Sequence, residues 1–369
     1  MKRKIEEIIR QDIKKIAPYV PGKPIEEIQR TYGLDIERIV KLASNENPLG
    51  PSPKVVEAVK RCAGKISRYP EGSGFYLKNK IAEVFNQPVD NIILGSGSSE
   101  VISMGMELFV NPGEEVIFPV PSFLIYKILA YKIGAVPVEI PLKDDFSYDI
   151  SMFLERITPK TKVIILCNPN NPTGTIIYKS QIDELMKKIP DDIVVISDEA
   201  YREYVDAEEF GTAEPYLYKK NVIVTRTFSK IYGLAGLRIG FGIARKEIIE
   251  FMERIRPPFN TTTPAQEAGI AALDDQEYVR HSFENNIRGR NYLYSAFDTL
   301  GIKYIPTYAN FILCKIPDAW KVVKKLERRG IIIRGMFGVG PEYVRITIGT
   351  ERENLLLIQN LKDLVGGEK

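Results

Sequence analysis

Short apolar runs recur through the middle of the chain, separated by stretches in which apolar residues return every three or four positions. Residues 92–94, 115–118, 136–140, 163–167, 193–197, 222–227 and 239–244 are rich in Val, Ile, Leu or Phe and have strand length. The stretches between them predict helices. Such alternation predicts an α/β domain around a mainly parallel sheet covered on both faces. From about residue 274 the pattern changes to a long polar helix through Arg290 and Tyr294, then to strands and helices of a smaller α+β domain. The expected division is an N-terminal helix and arm over 1–46 that packs with the small domain, a large domain over 47–273 and a small domain over 274–369.

Ile5, Ile8, Ile9, Ile13 and Ile16 fall at helical spacing among alternating Lys and Glu, which predicts an amphipathic helix docked on the protein itself rather than a cleavable leader. The Pro257-Pro258 pair and the run ending at Pro264 predict a link between the sheet and later helices. Four of the strands end in polar clusters: GSGSSE from Gly95, NPNNPTG from Asn168, SDEAY from Ser197 and TRTFSK from Thr225. In an open α/β sheet ligands bind beyond the carboxyl ends of the strands, so these distant clusters are expected to converge on one site.

Charge and composition narrow the chemistry. The 51 basic and 48 acidic residues are interspersed, leaving a net charge of +3 and no basic stripe for nucleic acid or a membrane surface. No run approaches the ~20 apolar residues of a membrane span. Cys62, Cys167 and Cys314 have neither disulfide-framework nor metal-ligand spacing, which fits a reducing cytoplasm and no metal site. His281 is the one histidine and lies in a polar helical stretch, so proton transfer is left to Lys, Tyr, Asp or Glu.

The turn GSGSSE resembles a dinucleotide fingerprint, but Glu100 stands where the third glycine belongs. What remains is a helix start with Ser98 and Ser99, suited to a phosphate or simply an ordinary capped helix. Lys230 follows an apolar strand and has Thr227, Ser229 and Arg238 nearby in sequence, donors suited to one phosphate. A lysine that reacts as an amine needs a semi-buried place beside other cations, because its ordinary pKa is ~10.4.

The strings SNENPLGPSP, RYPEGSG, NPNNPTG, DEAY, SKIYGLAGLRIG and VRITIGT occur in that order between Tyr19 and about Gly349. Together they resemble the fold type I aminotransferases that use pyridoxal 5'-phosphate, specifically the histidinol-phosphate aminotransferase branch. The resemblance implies that Lys230 holds the cofactor aldehyde and acts as general base. Asp198 would face the pyridine nitrogen, and Asn171 and Tyr201 the phenolic oxygen. Thr227, Ser229, Arg238, Ser98 and Ser99 would contact the phosphate, with Ser99 where an acidic residue is frequent. Phe123 would stack on the ring, in place of the more usual tyrosine. Tyr19, Asn47, Arg334 and Arg345 would meet the substrate, and Tyr69 would reach the phosphate of a neighbouring subunit in a homodimer.

The implied reaction is transfer of the amino group of L-histidinol phosphate to 2-oxoglutarate. An aromatic amino acid aminotransferase and a threonine-phosphate decarboxylase share nearly all these contacts and stay open. A non-catalytic ligand sensor is a further alternative, although the segment before Tyr19 is too short for a helix-turn-helix domain. A nicotinamide-dependent dehydrogenase rests only on the turn at Gly95 to Gly97.

Overall fold

The computed structural model describes residues 4–336 and 338–365. Its strands, in chain order, are β1 (Val40–Leu42), β2 (Ile92–Gly95), β3 (Glu115–Val120), β4 (Val136–Pro141), β5 (Thr161–Cys167), β6 (Val194–Asp198), β7 (Asn221–Thr227), β8 (Gly240–Ala244), β9 (Lys303–Ile305), β10 (Phe311–Lys315), β11 (Ile331–Gly335) and β12 (Tyr343–Thr347). The seven apolar runs expected as strands are β2 to β8. They form one sheet in the order β2-β8-β7-β6-β5-β3-β4, in which β8 alone runs antiparallel to its neighbours.

The apolar runs are continuous because both faces of this sheet are covered. Ile164, Leu166, Val195, Val222 and Val224 point into one core, shared with Leu77, Ile81, Leu185 and Met186 from covering helices. Their alternates Val163, Ile165, Val194, Ile196 and Ile223 point into a second core beneath the helix Ser98–Phe109. Register then sets the site. Cys167 lies level with Asp198, Asp198 with Thr225, and both Thr227 and Gly95 with Gly240, so the carboxyl ends of β2, β5, β6 and β7 share one edge.

A second sheet has the order β1-β11-β12-β10-β9, with β1 parallel to β11 and the other pairs antiparallel. The helix Gln276–Leu300 carries Leu293 and Phe297 into its core and ends at Gly301, whose φ of 67° suits a glycine helix stop. The run ending at Pro264 forms a helix start: the Thr262 hydroxyl accepts from the Ala265 N–H at 3.3 Å.

The N-terminus departs from expectation. In place of one amphipathic helix there are two single turns, Ile5–Ile8 and Gln11–Lys14, separated by extended backbone at Ile9 and Arg10. Ile5 and Ile8 are 61% and 60% exposed, so their apolar face is not docked on this chain. Neither turn has a side-chain cap; the second lies against the helix Ile125–Ile133, where Lys15 Nζ is 5.6 Å from the centre of the Tyr131 ring, but neither buries a residue, and four-residue helices have few internal bonds to offset nucleation.

Candidate active site

Lys230 follows β7 directly. Its Nζ lies 3.4 Å from the Ser44 carbonyl and 5.5 Å from the centre of the Tyr201 ring. Burial, and then the positive charges of Arg345 and Arg238, push the amine down from 10.5 to about 8, against a smaller opposing pull from Glu46 and Asp198. The free amine of Lys230 is therefore far more populated near neutral pH than that of an ordinary lysine.

Asp198 ends β6 and is 3% exposed. Its Oδ2 accepts from the Tyr126 hydroxyl at 2.7 Å and its Oδ1 from the Thr225 hydroxyl at 3.3 Å. Burial nonetheless raises its pKa, the hydrogen bonds offsetting only part of the desolvation cost. Tyr201 lies behind it in sequence and is buried. Its hydroxyl oxygen accepts from Asn45 Nδ2 at 3.0 Å and Asn171 Nδ2 at 3.3 Å. Asn171 Oδ1 in turn accepts from Arg345 Nη1 at 2.5 Å, which fixes the amide with its nitrogen toward Tyr201.

A cradle of donors forms where β2 and β7 end beside the start of β8. The Thr227 and Ser229 hydroxyls lie 2.9 Å apart, and Arg238 Nη1 reaches Ser229 Oγ at 3.4 Å. Ser98 and Ser99 open the facing helix, Ser98–Phe109. Two glycines permit the close approach. A Cβ on Gly97, whose φ is 79°, would fall 2.5 Å from Arg238 Nη2, and one on Gly240 would fall 2.5 Å from the Ser98 nitrogen. Glu100, the departure from the glycine fingerprint, accepts from the Ser96 N–H at 2.7 Å and from Asn260 Nδ2 at 2.6 Å. It is a brace for the turn.

Phe123 is half-buried and meets the edge of Tyr126 at 5.8 Å. Arg334 and Arg345 are directly opposed across β11 and β12. Arg345 Nη2 donates to the Ala43 carbonyl at 2.8 Å, its Nε is buried without a partner, and Arg334 Nη2 donates to the Val20 carbonyl at 2.6 Å. Tyr19, next to Val20, is 54% exposed.

Two expected residues stand apart. Asn47 donates to the Ile231 carbonyl at 2.7 Å and Ser282 Oγ at 3.0 Å, and its Oδ1 accepts from the Leu49 N–H at 3.0 Å. Its amide is thus spent on joining the lysine segment to the helix Gln276–Leu300 and is not presented to a substrate. Tyr69 is 80% exposed and stacks on Phe259 at 4.6 Å, with no polar partner among the described residues. Asn45 and Tyr126 are partners of the site that the sequence reading did not single out. Neither has a spacing signal, since they meet Tyr201 and Asp198 across 156 and 72 residues.

The charge pattern is unbalanced. Among the described residues Lys230, Arg238, Arg334 and Arg345 form no ion pair, and Asp198 has no cation within salt-bridge distance. Opposed arginines repel, and a buried guanidinium needs an anion to offset its lost hydration. The donor cradle, the lone carboxylate and the amine together fit pyridoxal phosphate: a phosphate at Arg238 and the hydroxyls, a ring nitrogen at Asp198 and an aldehyde at Lys230.

A family model described as "Aminotransferase class I and II" matches residues 37–361. Histidinol-phosphate aminotransferase of Moorella thermoacetica is 44% identical over 361 residues, covering 96% of this chain and 92% of that one. The protein of the same name from Caldicellulosiruptor saccharolyticus is 45% identical, covering 97% of this chain and all of the other. Among solved structures, histidinol-phosphate aminotransferase from Sinorhizobium meliloti in complex with pyridoxal-5'-phosphate superposes with a TM-score of 0.88 at 26% identity, covering 98% of each chain.

Proposed function

We propose, from the premise that this chain belongs to the class I and II aminotransferases, that it moves the amino group of L-histidinol phosphate to 2-oxoglutarate, yielding imidazole acetol phosphate and L-glutamate. The single observation that carries the substrate reading is the opposed pair Arg334 and Arg345, neither of which forms an ion pair among the described residues. Both half-reactions bring an anion there: the phosphate of the amino donor, then the carboxylates of the acceptor. Guanidinium forks serve either group, whereas a lysine would offer a point charge.

Pyridoxal 5'-phosphate, when bound, supplies an aldehyde that captures amines and a ring that accepts the electron pair left when a proton departs. Thr227, Ser229, Arg238, Ser98 and Ser99 would hold its phosphate. Asp198, with Tyr126 and Thr225 fixing its two oxygens, would keep the ring nitrogen protonated, and the cation opposite would offset the burial that raises its pKa. Tyr201 and Asn171 would donate to the phenolic oxygen, and Phe123 would cover one ring face. Lys230 Nζ, lowered toward neutral pH, would take the proton from the amine-bearing carbon of the substrate. Arg345 would bind an anionic end of the substrate, while Tyr19 and Arg334 would close over it from the N-terminal strap and β11.

The same proposal assigns a homodimer. Exposed Tyr69, stacked on exposed Phe259 and a few residues before exposed Phe75 and Tyr76 in the chain, offers a surface suited to a second copy, with Tyr69 reaching the neighbour's phosphate. Three free, buried cysteines support a cytoplasmic setting. The test of the substrate is a comparison of kcat/KM for histidinol phosphate with that for phenylalanine and tyrosine, using 2-oxoglutarate as acceptor. A preference for the phosphorylated donor of a hundredfold or so follows from an added charge-assisted contact. Equal values would move the assignment to an aromatic amino acid aminotransferase.

A further inference from the structure

Asn45 is 1% exposed and has a φ of 54°, a conformation that costs a non-glycine residue energy and persists where the surroundings dictate it. Every polar group it has is engaged. Its N–H donates to Thr347 Oγ1 at 2.9 Å, and its carbonyl accepts from Asn310 Nδ2 at 3.0 Å. The Thr347 hydroxyl donates back to Asn45 Oδ1 at 3.4 Å, which turns Nδ2 toward the Tyr201 hydroxyl at 3.0 Å.

Two amide donors therefore converge on the Tyr201 oxygen, from Asn45 and from Asn171. Both are N–H groups, so neither can receive the tyrosine's own proton, which is left to point into the site. We propose that Asn45 is a positioning residue for amino-group transfer: it locks the Tyr201 hydroxyl as a donor to the cofactor's phenolic oxygen and ties that donor to the smaller sheet. The inference rests on the cofactor reading above. The tie is structural on both sides, because Thr347 of β12 holds the Asn45 backbone while Phe311 of β10, its register partner, packs edge-on against the Tyr201 ring at 5.1 Å.

The physical effect has a sign. An N–H donated to a hydroxyl oxygen polarises the O–H and strengthens the bond it donates onward. Asn45 thereby favours the anionic phenolic oxygen, and loss of its N–H makes that oxygen a stronger base. The holoenzyme's visible absorbance, titrated against pH, reads this directly and independently of turnover. Asn45→Gly keeps the positive φ and removes the donor, while Asn45→Asp keeps the shape and removes the N–H. Each should move the midpoint upward by roughly 0.2–0.7 pH unit, more for Asp because of its charge. Thr347→Val removes the group that orients Asn45 and should move it in the same direction by less, which keeps the test available if a substitution at Asn45 prevents folding.

A Tyr201→Phe background separates positioning from general support. There Asn45→Gly should add no further displacement. An unchanged midpoint in all three variants, or a displacement of equal size in the Tyr201→Phe background, overturns the inference while leaving the cofactor reading intact. A wild-type protein without a visible band overturns the cofactor reading, and the inference with it, whereas a visible band that titrates in none of these proteins overturns the inference alone.

Discussion

Replacing Lys230 with methionine should abolish turnover and yet stabilise the cofactor-free protein. Methionine keeps most of the lysine's length and apolar volume but carries no charge. In the fold the amine sits beside Arg345 and Arg238 in a buried setting that lowers its pKa from 10.5 to about 8, with burial the largest cause. At about 1.36 kcal/mol per pH unit, that displacement corresponds to a penalty of about 3 kcal/mol for holding the group charged. Relaxation of the neighbours reduces what an experiment would read to roughly 1–2 kcal/mol. The penalty is fully present below the folded pKa of about 8, where the amine is charged in both states, and it is relieved as pH rises from there toward the unfolded value of 10.5.

Thermal melting of the cofactor-free wild type and Lys230→Met at pH 7 and again near pH 10 would check this. With an unfolding entropy of about 2.1 cal/mol/K per residue, the variant should melt roughly 1–3 °C higher at pH 7, with a smaller gap near pH 10. A variant that melts lower than wild type at pH 7, or a gap that widens with pH, would refute the assignment of Lys230 to a strained, cation-flanked position.

Asp198→Asn should weaken cofactor retention and depress kcat by roughly a hundredfold or more, since an amide cannot keep a ring nitrogen protonated; near wild-type kcat in steady-state assays would make Asp198 a structural residue. Arg345→Ala should raise KM by roughly tenfold to a hundredfold for both donor and acceptor, whereas Tyr19→Phe should act mainly on the phosphorylated donor; an unaltered 2-oxoglutarate half-reaction in single-turnover measurements would contradict a shared anion site. Mixing Lys230→Ala and Tyr69→Ala subunits should restore activity toward about a quarter of wild type, because a mixed dimer holds one intact site if Tyr69 serves its neighbour. No recovery after verified subunit exchange would confine Tyr69 to its own chain.

The strands of the larger sheet and the four polar clusters at their ends were legible in the sequence because each is local. A sheet covered on both faces demands unbroken apolar runs, and β5, β6 and β7 supply them before the chain turns polar at Asn168, Ser197 and Thr225. Lys230, Asp198, Tyr201 and Arg238 could be singled out for the same reason: each lies at or beside such a strand end, inside a recognisable string. The tertiary structure decided how their partners were spent. Asn45 and Asn47 are two residues apart in one string, yet the first serves Tyr201 and the second joins Ile231 to Ser282. Glu100 occupies a glycine position and proves to be a brace, and the isoleucines near the start are periodic but unburied. Periodicity records which face of a segment is apolar, whereas a hydrogen bond across 156 residues depends on the packing of two sheets, which no local pattern encodes.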